Sequence, residues 1–411
     1  MQHSLLIGST CLLALLSTTG ASLAYPLLPP LFTGGAVNGL NGFLELPPTL
    51  LFGIAVMVNP LGLLLGSAVL GPISDSLGRR RMLLLTAIGA ALGHLLTAYS
   101  LLIESYPLLV GARFVTGLLE GNGAILRAVL AERLDGALRK HALSWVNGAF
   151  NLGWLIGPLL AALSARHSLA LPFYIAAGGL LLGTMLAVPA LARESGRAQT
   201  HHWWTLATRH HVFTLLRHDA LRTLFAIHFF YACGVAVFYE YFPLWLVEVG
   251  KRDAAGIALV NMGMCLLMTC AALFAGRASP RDARHRASIQ AGAAALAILS
   301  PGLGNLWIGV AAIIVFGLPH AYYNATLQGW AAEQFAGHGH GAVMGLLSTT
   351  FCLANIVMAL VGALLALVDL RLVFLVGAAL AACAALAMRR WSRMAMVVGR
   401  ELDCPGAVNR S

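Results

Sequence analysis

Apolar residues fall in blocks of about 20 along the whole chain, with short polar stretches between them. A helix needs about 20 such residues to cross the hydrocarbon of a bilayer. The pattern predicts twelve spanning helices, at 5–31, 49–70, 82–103, 107–131, 142–165, 170–191, 223–248, 254–275, 288–304, 305–330, 342–367 and 371–388. The ninth is the weakest, being rich in Ala and closed by Ser300-Pro301-Gly302. Barrel strands would give short alternating segments instead. An all-α membrane protein is expected.

The longest polar interruption follows the sixth span and divides the chain into two sixes. It sets an N-terminal six-helix bundle at 1–191, a linker at 192–222, a C-terminal six-helix bundle at 223–390 and a tail at 391–411. The linker holds His201, His202, Trp203, Trp204, His210, His211 and His218. With no Cys to complete a ligand set, these read as a segment lying on the membrane surface, and no metal is expected.

Composition agrees. The 411 residues are 59% apolar and 10% charged, where soluble proteins carry about 25% charged residues. That excludes a soluble enzyme, a disordered chain and a disulfide scaffold. Six of the seven cysteines lie inside apolar runs, and none has C-x-x-C spacing. The net charge of +10 could suggest nucleic acid, but the basic residues sit in short clusters between apolar blocks. Such clusters set orientation in a membrane. With the N-terminus cytoplasmic, twenty of the 26 basic residues fall on the inside and both termini are inside. Ala21-Ser22-Leu23-Ala24 looks like a processing site, yet Met1–Ser4 has no Lys or Arg, so the first span is expected to remain uncleaved.

Gly71-Pro72-Ile73-Ser74-Asp75-Ser76-Leu77-Gly78-Arg79-Arg80-Arg81 lies between the second and third spans. Its glycines suit close helix approach at Gly71 and a tight turn at Gly78. Asp75 can pair with an arginine or cap the next helix, and Arg79 and Arg80 suit an anionic membrane surface. Gly276, Arg277, Arg281, Asp282, Arg284 and Arg286 form a degenerate echo between the eighth and ninth spans. Span four carries Arg113-Phe114-Val115-Thr116-Gly117, and span five Gly153-Trp154-Leu155-Ile156-Gly157-Pro158.

Together these segments resemble the major facilitator superfamily. The first fits its G-x-x-x-D-x-x-G-R-R loop, the second its R-x-x-x-G motif, and the third its antiporter motif, with Ala161 and Ala162 in place of two glycines. Tyr25-Pro26-Leu27-Leu28-Pro29 is similar to the drug:proton antiporters, including tetracycline-type effluxers. The resemblance implies two pseudo-symmetric six-helix bundles rocking about a central site. It also implies a conformational gate at Gly71, Asp75, Gly78, Arg79 and Arg80, and an antiporter motif at Gly153, Gly157 and Pro158.

Ionisable groups inside a membrane are functional hypotheses by default. Arg113, Glu120 and Arg127 stand seven residues apart in span four, which places them near one stripe of a continuous helix. Glu120 is the first proton-coupling candidate; a purely structural counter-charge for the arginines is the other reading. His228 and Glu240 in span seven are further candidates, about 120° apart around the helix. Glu240 could equally be a solvated rim residue. His228 and His94 each read most simply as a satisfied polar group. Arg113, Arg127, His320, Tyr322, Tyr323 and Asn324 are candidates for a substrate cavity.

No G-x-x-x-x-G-K-[ST] loop is present, so ATP is not expected to drive the chain. No nucleophile–base set stands out, and no enzyme, cofactor or nucleic-acid partner is expected. The expected function is proton-coupled export of a small organic molecule or drug, by a monomer in a bacterial inner membrane. Alternatives are a dedicated exporter of an endogenous metabolite such as a carboxylate siderophore, an uptake symporter, and a non-transporting receptor or scaffold.

Overall fold

The computed structural model describes residues 2–33, 37–191, 212–275, 283–335 and 340–402. The first span is two helices, α1 (Gln2–Ser22) and α2 (Ala24–Thr33), and the fourth is likewise α5 (Tyr106–Glu120) and α6 (Gly123–Arg133). Between them lie α3 (Pro48–Leu77) and α4 (Arg79–Leu102); α7 (Gly136–Ser164) and α8 (Leu171–Ala190) complete the first six spans. The second six are α9 (Asp219–Glu248), α10 (Ala254–Ala275), α11 (Ala283–Leu299), α12 (Leu306–Gln334), α13 (His340–Ala366) and α14 (Leu370–Leu402).

Eleven of these spans are long and apolar enough to cross a membrane, among the described residues. The exception is α11, with 17 residues. It begins five positions before the expected 288 and ends at 299, where Pro301 opens a 3-10 turn and Gly304 reverses the chain with φ +80°. Its early start is held by Arg284, whose guanidinium lies over Trp330 and Trp391. The final helix runs past the expected 388 to Leu402. Outside the described residues lie the linker histidines His201, His202, His210 and His211 with Trp203 and Trp204. So do Gly276, Arg277, Arg281 and Asp282 of the second-half loop, His338-Gly339, and the tail from 403.

Both broken spans have a local cause. Pro26 lacks an N–H and its ring clashes with the carbonyl four residues back. That carbonyl belongs to Ser22, where α1 stops. In span four, Gly121-Asn122-Gly123 interrupts the helix, and the Asn122 amide donates to Thr86 Oγ1 of α4 at 3.2 Å. A Cβ on Gly121 would collide with the backbone of Gly66 and Ser67 in α3, and Gly117 likewise meets Asn59. Gly62 and Gly66 of α3 face Phe114 and Leu118 of α5 just as tightly. Small residues four apart thus bring these two helices into backbone contact.

Arg79–Arg81 mark one end of the molecule, here the basic end; Thr33, Pro48 and Glu248 lie at the far end. One apolar core runs through the second six and continues into the first six through residues such as Leu27, Phe32, Phe52 and Tyr106. A separate core, from Leu6 to Leu191, fills the basic end of the first six alone. Tyr25 donates its hydroxyl to the Tyr239 carbonyl, Phe52 meets Tyr241 edge to face, and Gly53 lies against Ala359 and Ala363. These contacts join the two halves at the far end.

Candidate functional site at the breaks in spans one and four

The carboxylate of Glu120, at the last position of α5, lies with Oε1 3.1 Å from Nε2 of His94 on α4. His94 is fully enclosed and Glu120 is 6% exposed. Gly20, just before the break in span one, presses directly on the His94 ring. The other face of the site is Phe173 of α8, whose ring stacks on the imidazole at 6.2 Å between centroids. Glu120 Oε2 and His94 Nδ1 have no hydrogen-bond partner among the described residues.

Arg113 is 5% exposed. Its Nη2 donates to the Ala21 carbonyl at 3.4 Å, in the last turn of α1, where the break leaves carbonyls without helical partners. Nε and Nη1 of Arg113 have no partner among the described residues. Its electrostatic counter-charges are Glu120 and, from the other half, Glu240 of α9. Glu240 also interacts with Tyr25 and Tyr241 at the far-end contacts. It is half-buried.

Arg127 falls elsewhere. The Gly121-Asn122 turn destroys the seven-residue register, so the expected stripe of three charges is interrupted. Arg127 is exposed and donates Nε and Nη2 to Asn147 Oδ1 of α7 at 3.2 and 3.1 Å. Its guanidinium lies 5.1 Å from the Phe150 ring. The hydrogen-bonded partner of Glu120 is thus His94, which spacing alone did not single out.

His228 and Glu240 occupy different surroundings, as their angular separation requires. His228 Nδ1 lies 3.3 Å from Tyr323 Oη, Tyr231 Oη 3.1 Å from His320 Nδ1, and Asn324 Nδ2 3.0 Å from His320 Nε2. Tyr231 and Tyr323 stack at 3.7 Å. With Tyr323 1% and His320 8% exposed, these rings form a packed layer between α9 and α12. Tyr323 is packed among these rings, with little of its surface left open. Tyr322 and Asn324 are half-buried.

In the loop motif, Arg79 Nη2 lies 2.8 Å from Asp75 Oδ1 and 2.5 Å from Glu132 Oε1 of α6. Its Nη1 donates to Ser74 Oγ at 3.2 Å. Gly78 turns the chain with φ +95°. Asp75 pairs rather than caps, since α4 starts without a side-chain cap. Gly71 meets nothing within 4 Å of a built Cβ, so it is not a close-approach glycine in this structure. Gly153 and Gly157 do make close approaches, to Thr18, Thr19 and Ser22 of α1, and Ser22 Oγ donates to the Gly153 carbonyl at 3.1 Å. The span-five motif therefore braces the break in span one.

The description "Major Facilitator Superfamily" matches residues 10–303, and the chain belongs to that family of membrane transporters. It is 32% identical to the class B tetracycline resistance protein of Escherichia coli over 126 residues, 31% of each chain. With the class E protein of Escherichia coli it shares 24% identity over 302 residues, 72% of this chain and 70% of that one. The matches to the class B, H and C proteins span 31%, 41% and 34% of those proteins, well under two thirds of their lengths. The crystal structure of the human organic anion transporter MFSD10 superposes with a TM-score of 0.69 at 18% identity, covering 94% of this chain and 99% of that one. That likeness concerns the fold. The chain is a multi-pass membrane transporter of the major facilitator fold.

Proposed function

We propose that this transporter is a proton-coupled exporter of a small organic molecule, working by alternating access in a bacterial inner membrane. The observation that carries the reading is the buried Glu120–His94 pair beside Arg113, at the point where two broken spans meet. Burying these groups is costly unless they work or are paired, and each keeps atoms with no hydrogen-bond partner among the described residues. Glu240 brings a carboxylate from the opposite half to the same arginine. A proton taken up on either carboxylate changes the charge balance between the halves, which is what biases one state over another. The tetracycline resistance relatives favour export, and amphipathic polycyclic drugs are the first cargo to test.

In proteoliposomes, an imposed pH gradient should drive accumulation of a transported drug, and a protonophore should abolish it. Transport indifferent to the gradient would remove proton coupling. The absence of counterflow for every compound in a broad panel would favour a receptor over a carrier.

Two further expectations follow from the reading. Reporter fusions after Ala192 and Met394 should both report cytoplasm, because the basic clusters hold their ends inside; a periplasmic signal at either site breaks the twelve-span topology. Asp75→Asn should slow transport by roughly threefold to tenfold while insertion stays normal, as part of a bistable contact is lost. Exposed ion pairs contribute only about 0.2–1 kcal/mol to stability, so folding is spared. Unchanged kinetics at equal protein would deny Asp75 a gating role.

A further inference from the structure

We propose that the basic end of α14 carries a binding site for the phosphate of an anionic phospholipid, formed by Arg389, Arg390 and Arg393. The uncovered face of this helix runs Leu375, Ala379, Cys383, Leu386, Arg390, Arg393, at steps of three or four residues that keep to one side. Leu375 is 42% and Leu386 59% exposed, so this face is solvated by acyl chains in a membrane. Its apolar part ends at Leu386. One turn further, about 5 Å along the axis, guanidinium groups take over.

A cavity of about 140 Å³ lies at that junction, lined by Leu386, Arg389, Arg390 and Arg393. One water occupies about 30 Å³, so a phosphodiester fits. Among the described residues no carboxylate pairs with any of the three arginines, in contrast to Arg79 and Arg222. Guanidinium groups bind phosphate through paired N–H donors. Basic pockets beside spanning helices suit anionic headgroups.

The site is also held firmly. Trp391, between Arg390 and Arg393, lies 5.3 Å from the Arg284 guanidinium of α11, and Trp330 of α12 lies 5.6 Å from it on another side. The two indoles meet at right angles, 5.4 Å apart. The arginines therefore project from a braced helix rather than a loop. Leu386 in the lining selects a lipid over free phosphate, because an acyl chain covers it and an inorganic ion leaves it bare.

The test uses the full-length protein purified in neutral detergent, with thermal stability followed as phosphatidylglycerol, phosphatidylcholine or inorganic phosphate is added. Phosphatidylglycerol should raise the melting temperature saturably, and the other two should not. The response should vanish in Arg389→Gln/Arg390→Gln/Arg393→Gln and persist in Arg139→Gln/Arg166→Gln/Arg252→Gln, which removes the same charge elsewhere. If the first triple variant does not fold, Arg389→Gln and Arg393→Gln singly should each weaken the lipid response roughly fivefold, the share of one basic residue. Equal responses from the two triple variants, no weakening in the singles, or an effect of inorganic phosphate matching that of the lipid would each overturn the site.

Discussion

Glu120→Gln abolishes pH-gradient-driven transport and leaves gradient-free exchange of substrate close to normal. The amide keeps the shape of the side chain and an oxygen acceptor for His94 Nε2, which now lies 3.1 Å from the carboxylate. What it loses is the ability to take up and release a proton. Exchange requires only that loaded carriers reorient, whereas net coupled efflux requires the proton to leave. The expected fall in gradient-driven rate is at least about tenfold, or about 1.4 kcal/mol on the effective barrier. Both assays are compared at equal amounts of folded protein. Full gradient-driven transport by the variant would remove Glu120 from coupling and direct attention to Glu240, the counter-charge facing Arg113 from the other half.

His94→Ala has the larger consequence for stability. It leaves Glu120 enclosed with neither oxygen hydrogen-bonded among the described residues, and a buried polar group left unsatisfied costs about 1–3 kcal/mol, more if it is charged. The melting temperature and folded yield should both drop sharply. Replacing both members together, as His94→Leu/Glu120→Met, should recover part of the loss: no unpaired carboxylate remains, although Arg113 keeps only Glu240 as a counter-charge. A double variant as unstable as the single one would show that packing against Gly20 and Phe173, not the pair, makes His94 indispensable. The recovered protein should still fail to couple transport to a pH gradient.

The architecture could be read from the chain because bilayer thickness imposes a length on every apolar block, and charged residues punctuate the blocks. Span eight, expected at 254–275, is found at those residues. Span nine was displaced because an apolar count cannot see that Arg284 is sheltered by two indoles, nor that Pro301 ends the helix early. The site was half legible. Glu120 and Arg113 stand out as charges in an apolar run, but the stripe assigned to them assumed an unbroken helix. Gly121-Asn122-Gly123 and Pro26 carried the signal of the breaks, and it lay in backbone preferences rather than in the periodicity of apolar positions. His94 had no local signal, since its partner is 26 residues away on another helix. Only the three-dimensional approach of α1, α4 and α5 joins them.

The breaks also make the two halves mechanically unequal. In the second six, the first and fourth spans are α9 and α12, continuous through 30 and 29 residues despite Pro243 and Pro319. Their counterparts in the first six are already interrupted, between Ser22 and Ala24 and between Glu120 and Gly123. A rod transmits a push along its whole length, whereas a jointed rod yields at the joint, where the hydrogen bonds that resist bending are missing from the start. The first six is thus the compliant member and the second the stiff one. A change of charge at Glu120 or Arg113 acts right beside the joints, where a small force swings the longest lever.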